Sequence, residues 1–192
     1  GSPPTHPDLL DTLSVRFMSA GWSLKWLHRE IMLSTTYQLS SSHNPTAKTL
    51  DPENRLHWRM NRRRLEVESW RDALLSVAGN LDKTTGGPTV NLDDSNNNRR
   101  TIYGAISRHS LNGLLRLFDF PDANVTSAVR TETIVPQQQL FVLNSDFFVK
   151  QSKNVAARVE IEAGEDLVAK VHRIYQLLFG RNADQQELII AS

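Results

Sequence analysis

The sequence predicts a mainly α-helical fold, a multi-helix orthogonal bundle with at most a small two-stranded β-hairpin. Three observations predict it. Apolar residues recur at helical spacing, most cleanly at Val67, Trp70, Leu74, Val77 and Leu81, alternately three and four apart. Capping residues precede such stretches and glycines follow them, as with Ser23 before one helix and Gly180 after another. Strand-and-turn chemistry is confined to residues 84–108.

Taken in order, Thr5 can cap a first helix, with Pro7 in its first turn and Asp8 at the position where an acid bonds back. Leu9, Leu10, Leu13 and Phe17 continue it, and Gly21 stops it. Ser23 caps a second helix running to about Gln38. Its Leu24, Trp26, Leu27, Ile31, Leu33 and Tyr37 fall on more than one face, the pattern of a helix buried between neighbours. The short link Gly21-Trp22-Ser23 suits a helical hairpin. Residues 40–49 are polar and read as a loop around Asn44-Pro45. Asp51-Pro52 reads as a cap with proline in the first turn, opening a further helical stretch.

The stripe from Val67 places the clearest helix within 62–81. There Arg64 and Glu68, and Glu68 and Asp72, are four apart, and Glu68 and Arg71 three, so they share a face. Gly86-Gly87-Pro88 and the polar run 93–98 mark turns between candidate strands at 89–92 and 101–108. Pro136 starts a helix to about Leu143. Asn144 or Ser145 caps another from Asp146 to about Glu160, which Gly164 breaks. Leu167, Val168, Val171, Ile174, Tyr175 and Leu178 form an amphipathic helix, and Asp184 begins the last one.

With 192 residues, 39% of them hydrophobic, the chain is long enough to bury a core. Gly1-Ser2 reads as a cloning scar, and residues 3–192 are expected to form a single helical domain. The 22 basic and 21 acidic side chains nearly cancel, so no nucleic acid or other polyanion is expected as partner. Without cysteine the chain has no disulfide, thiolate metal site, cysteine nucleophile or CxxCH haem attachment. No apolar run approaches the roughly 20 residues of a membrane span.

Three features carry possible chemistry. The six histidines are scattered and form no HxxxH or HExxH pair. Asp93-x-Ser95-x-Asn97 resembles a calcium loop only weakly, since Asn98 and Gly104 stand where glycine and glutamate are needed; no metal is expected. The run Arg62-Arg63-Arg64 reads either as a phosphate patch or as one side of ion pairs with Glu66, Glu68 and Asp72. Ion pairing is preferred because the acids follow at once. The third feature is the polar stretch 118–144. Phe120 precedes proline and is expected to be extended, sending Phe118 and Phe120 to the core and Asp119 to the loop. Asp119 and Asp122 could form a hydrolytic carboxylate pair. Arg130, in the same loop, would instead lower an acid's pKa and spoil it as a proton donor.

Four stretches together, "PTHPDLLDTLSVRFMSAGWSLKWLHREIMLSTTYQLSS", "DPENRLHWRMNRRRLEVESWRDALLSVAGNLD", "FDFPDANVTSAVRTETIVPQQQLFVLN" and "RIYQLLFGRNADQQEL", resemble the planctomycete-specific domain of unknown function. The resemblance spans nearly the whole chain. It implies a piece of a longer family domain, C-terminal in large exported bacterial proteins that often carry cytochrome-c-like domains. Haem c, if present, then belongs to a neighbouring domain, and no cofactor is expected in this chain. The resemblance supplies no catalytic residue. Its matching positions are Arg62, Arg63, Arg64, Glu68, Arg71, Asp72, Asp119, Pro121, Asp122, Pro136 and Asn144, and with Arg130 of the loop the charged and amide groups among them make one candidate polar cluster.

Two functions follow as expectations. The preferred one is an accessory or structural module of a periplasmic or cell-surface protein. Its partners would be other domains of the same polypeptide, or polysaccharide and cell-surface components. The alternative is a hydrolase or redox enzyme acting on polysaccharide, with Asp119, Asp122 and Arg130 in its site.

Overall fold

A computed structural model describes residues 3–127 and 129–191; Gly1-Ser2, read above as a cloning scar, lies outside the described residues. The fold is mainly α, with nine α-helices and one 3-10 turn among the described residues. The expected hairpin reduces to two isolated parallel bridges, Asp82 with Arg99 and Val90 with Gly104. The chain divides into two compact units, one ending at Arg63 and one starting at Arg64.

The first unit holds α1 (Pro7–Ser19), α2 (Leu24–Met32) and α3 (Pro45–Leu50). Thr5 does not cap α1. Its hydroxyl bonds the His6 ring instead, and Pro7 opens the helix with no side-chain cap. The turn to α2 is made by Gly21 and Trp22, both with positive φ. Ser23 caps α2 through the Trp26 N–H. This helix ends at Met32 instead of about Gln38, because Ser34 takes over locally: its hydroxyl donates to the Ile31 carbonyl and accepts from the Tyr37 N–H. None of the three helices buries a residue, against the expectation that α2 would sit between neighbours.

The reading of residues 40–60 is inverted. Asn44 caps α3 through the Ala47 N–H, inside the expected loop. Asp51-Pro52 opens no helix. The Asp51 carboxylate instead accepts the N–H groups of Arg55 and Leu56, which folds residues 51–61 into a tight loop.

The second unit contains α4 (Val67–Val77), the 3-10 turn Thr101–Tyr103, α5 (Gly113–Leu117), α6 (Pro136–Asn144), α7 (Asp146–Ala163), α8 (Leu167–Phe179) and α9 (Gln185–Ala191). The short α5, capped by Asn112, has too few turns to show periodicity. Gly164 at φ +67 ends α7, and Gly180 at φ +68 ends α8; both conformations favour glycine. Two apolar clusters make the core. Val67, Leu92, Leu114 and Leu115 form one, and Leu75, Phe147 and Phe148 the other. Trp70 and Phe141 pack against both, so α4 and α6 weld them together. The Trp70 ring lies 4.7 Å from both Phe118 and Phe148, within the range of favourable aromatic pairs.

Candidate functional site

Helix α4 positions the charged groups. Its buried face carries Val67, Arg71 and Leu75, four apart. The stripe of Val67, Trp70 and Leu74 foreseen from spacing is therefore real but wider than expected, and it includes an arginine. Glu68, in the first turn of α4, lies at the edge of this face. Its two carboxylate oxygens each accept a bond from Arg130, at 2.8 Å, in a bidentate fork. Glu66 adds a second acid 3.4 Å from the same guanidinium, which lies 5.1 Å over the Phe120 ring. Partial burial pushes the Glu68 carboxyl up, but the Arg130 bonds outweigh it and hold the pKa below the usual value. The same bonds raise Arg130.

Asp119 and Arg64 meet beside this fork. Asp119 takes a left-handed conformation, φ +63, so the stretch is not extended as expected ahead of Pro121. The outcome foreseen for the side chains still holds. Phe118 and Phe120 pack on the core, and Asp119 faces the loop. Its oxygens accept the Thr133 N–H at 2.8 Å and the Thr133 hydroxyl at 2.7 Å. Arg64 donates to the Thr133 carbonyl and to Gln138 Oε1, with Asp119 Oδ2 at 4.0 Å. Gln138 is buried and completes the knot by donating to the Leu117 carbonyl at 2.9 Å. The sequence reading missed Gln138. Its only signal was a glutamine in the first turn after Pro136.

Arg71 and Asp72 belong to a different knot. Arg71 is wholly enclosed and donates to the carbonyls of Asn97 and Arg99 and to the Thr101 hydroxyl, while stacking 4.7 Å from Phe147. Burial lowers its pKa from the arginine value. Asp72 accepts the N–H and hydroxyl of Thr101, each at 2.7 Å. These two side chains tie α4 to residues 97–101 and not to the 118–135 loop. The expected pairing of the Arg62-Arg63-Arg64 run with Glu66, Glu68 and Asp72 does not form: Glu66 and Glu68 meet Arg130, and Asp72 meets Arg100 and Thr101. The stretch read as a weak calcium loop is thus anchored by a guanidinium, and among the described residues no three His, Cys, Asp or Glu converge.

The remaining candidates lie outside both knots. Asp122 accepts the backbone and side-chain N–H groups of Asn124 within its own turn and shares no hydrogen-bond partner with Asp119. Asn144 donates back to the Leu140 carbonyl at the end of α6. Arg62 and Arg63 are exposed, so only Arg64 of the basic run enters the charge network.

The model of the family described as PSD1, protein of unknown function (DUF1553), matches residues 1–192. The chain belongs to this family. No curated protein and no solved structure matches the chain. Family membership therefore fixes which domain this is without attaching a reaction to it. The geometry speaks to the chemistry. Glu68 and Arg130 spend their polar atoms on each other, and Arg64, Arg71, Asp72, Asp119 and Gln138 spend theirs on threonines and backbone groups of the loops beside α4.

Proposed function

We propose that the chain is a structural, accessory module whose acid–arginine cluster shapes a surface instead of performing a reaction. The observation that carries this reading is the commitment of Asp119. Both of its oxygens are taken by Thr133, and its neighbours Glu68 and Arg130 saturate each other in a fork. A general acid needs a raised pKa, and Glu68, bonded to the Arg130 guanidinium, is held below the ordinary value. Placement in a large exported protein of the cell envelope, beside other domains of the same polypeptide that include haem-bearing ones, rests on the resemblance and extends the proposal. No helix among the described residues is long and apolar enough to cross a membrane.

Thermal melting of the 192-residue chain tests the structural role. Asp119→Asn and Arg64→Ala are each expected to lower Tm by about 3 °C or more, as for the loss of one to two charge-assisted bonds. Melting curves that coincide with the parent for both variants would remove the proposal and return the cluster to the hydrolase reading.

A further inference from the structure

In the first unit a groove of about 590 Å³ opens between α1, α2 and the 51–61 loop. Leu9, Leu13, Ile31, Tyr37, Leu56 and Met60 give it a largely apolar wall. Its size lies within the roughly 300–1,000 Å³ typical of sites for small organic ligands.

The charged groups on this wall are unequally satisfied. Glu30 is held by Arg16 in an ion pair. Arg59 has no acid. Its guanidinium lies 4.8 Å over the Trp58 ring, and its Nε is buried without a hydrogen-bond partner. Arg63 also lines the groove, so the wall carries an excess of positive charge.

The loop that presents Arg59 is a built element. Asn54 is buried, and its amide donates to the Arg59 carbonyl and to Asn61 Oδ1, both at 2.9 Å. Asn54 Oδ1 accepts the Arg59 N–H at 3.3 Å. The Trp58 indole is fixed by the Asp51 carbonyl at 2.9 Å. Asn54 and His57 hold positive φ, +57 and +54, a strain that persists only where the surroundings over-determine it. So the loop satisfies its own backbone while leaving one guanidinium edge unpaired. An unpaired buried donor is costly, and an acceptor from a ligand would relieve it.

We propose that this groove binds a small amphipathic carboxylate. Its apolar body lies against Leu13, Ile31 and Met60, and its two oxygens meet the Nε edge of Arg59. The planar, two-donor edge of arginine matches a carboxylate side-on, which favours it over a neutral or cationic head group. This ligand site goes beyond the structural role assigned to the second unit, and neither stands on the other's residues.

The test titrates the full chain with octanoate, 1-octanol and octyltrimethylammonium, followed by NMR. Octanoate is expected to bind with a Kd below about 1 mM, at least tenfold tighter than octanol, with octyltrimethylammonium weakest. Shifts should centre on Trp58, Arg59 and Met60. Arg59→Gln should weaken octanoate about tenfold and leave octanol unchanged, whereas Arg62→Gln should change neither. Equal affinity for the three probes overturns the proposal, a comparison that needs no variant to fold. So do shifts that bypass these residues, or retention by phosphatidylglycerol vesicles without octanoate binding, which would make this a membrane-facing patch.

Discussion

From Arg64 onward, Leu75 and Arg71 are completely enclosed and Leu115 is 1% exposed, whereas up to Arg63 the one buried residue among those described is Asn54. The second unit closes two apolar clusters and then ties its loops to α4 with arginine and aspartate. The first leaves Leu24, Leu33, Leu50 and Leu56 more than half exposed and relies on a hydrogen-bonded loop. Apolar composition alone does not decide which part of a chain makes a core. Trp22, Trp26 and several leucines sit in the first unit without one. What differs is the long-range partnering, since the second unit brings aromatics from α4, α6 and α7 onto one another.

The sharpest way to break this contrast is to remove Arg71. Arg71→Ala strips three acceptors of their donor inside a closed core, so a loss of about 3–5 kcal/mol is expected by chemical denaturation. A loss under about 1 kcal/mol would mean the enclosed guanidinium is not a structural element. A smaller effect is expected at Gly104. A Cβ there would stand 2.6 Å from Leu92 Cδ1 and 3.0 Å from the Thr101 carbonyl oxygen. Gly104→Ala should cost about 1–3 kcal/mol by overpacking. Gly113→Ala, with nothing within 4 Å, is the control expected to be near neutral. The smallest effect belongs to the first unit. Leu56 is 75% exposed, and Leu56→Ala should fall within about 0.5 kcal/mol of the parent. A large loss there would show a core in the first unit that the side-chain exposures do not contain.

Much of the second unit was legible from local pattern. The stripe on α4, proline at the start of α6 and the glycines after α7 and α8 act within a few residues of themselves. The ion pairing expected for the basic run went to other arginines, since Glu66 and Glu68 meet Arg130 and Asp72 meets Arg100. Asp51-Pro52 misled because aspartate caps helices and folds turns by the same act, accepting nearby N–H groups. Arg71 was misplaced because periodicity counts arginine as polar, while the carbonyls that satisfy it lie 26 and 28 residues away. Gln138 was invisible for the same reason. Its partner Arg64 is 74 residues distant, and no local spacing encodes that meeting. Arg130 does meet Glu68, but which loop each charged group would reach was not encoded nearby.

The central claim is that these acids and guanidinium groups serve each other, and a double-mutant cycle on Glu68 and Arg130 tests it most directly. The fork and its partial burial predict a coupling of about 1–2 kcal/mol at pH 7 between Glu68→Ala and Arg130→Ala. Because the folded state holds the Glu68 pKa below its ordinary 4.5, that stabilisation is present above this value and is lost as pH falls through the depressed folded value. The coupling should therefore persist at pH 7 and fade in acid. A coupling within about 0.3 kcal/mol of zero at pH 7 would contradict the account.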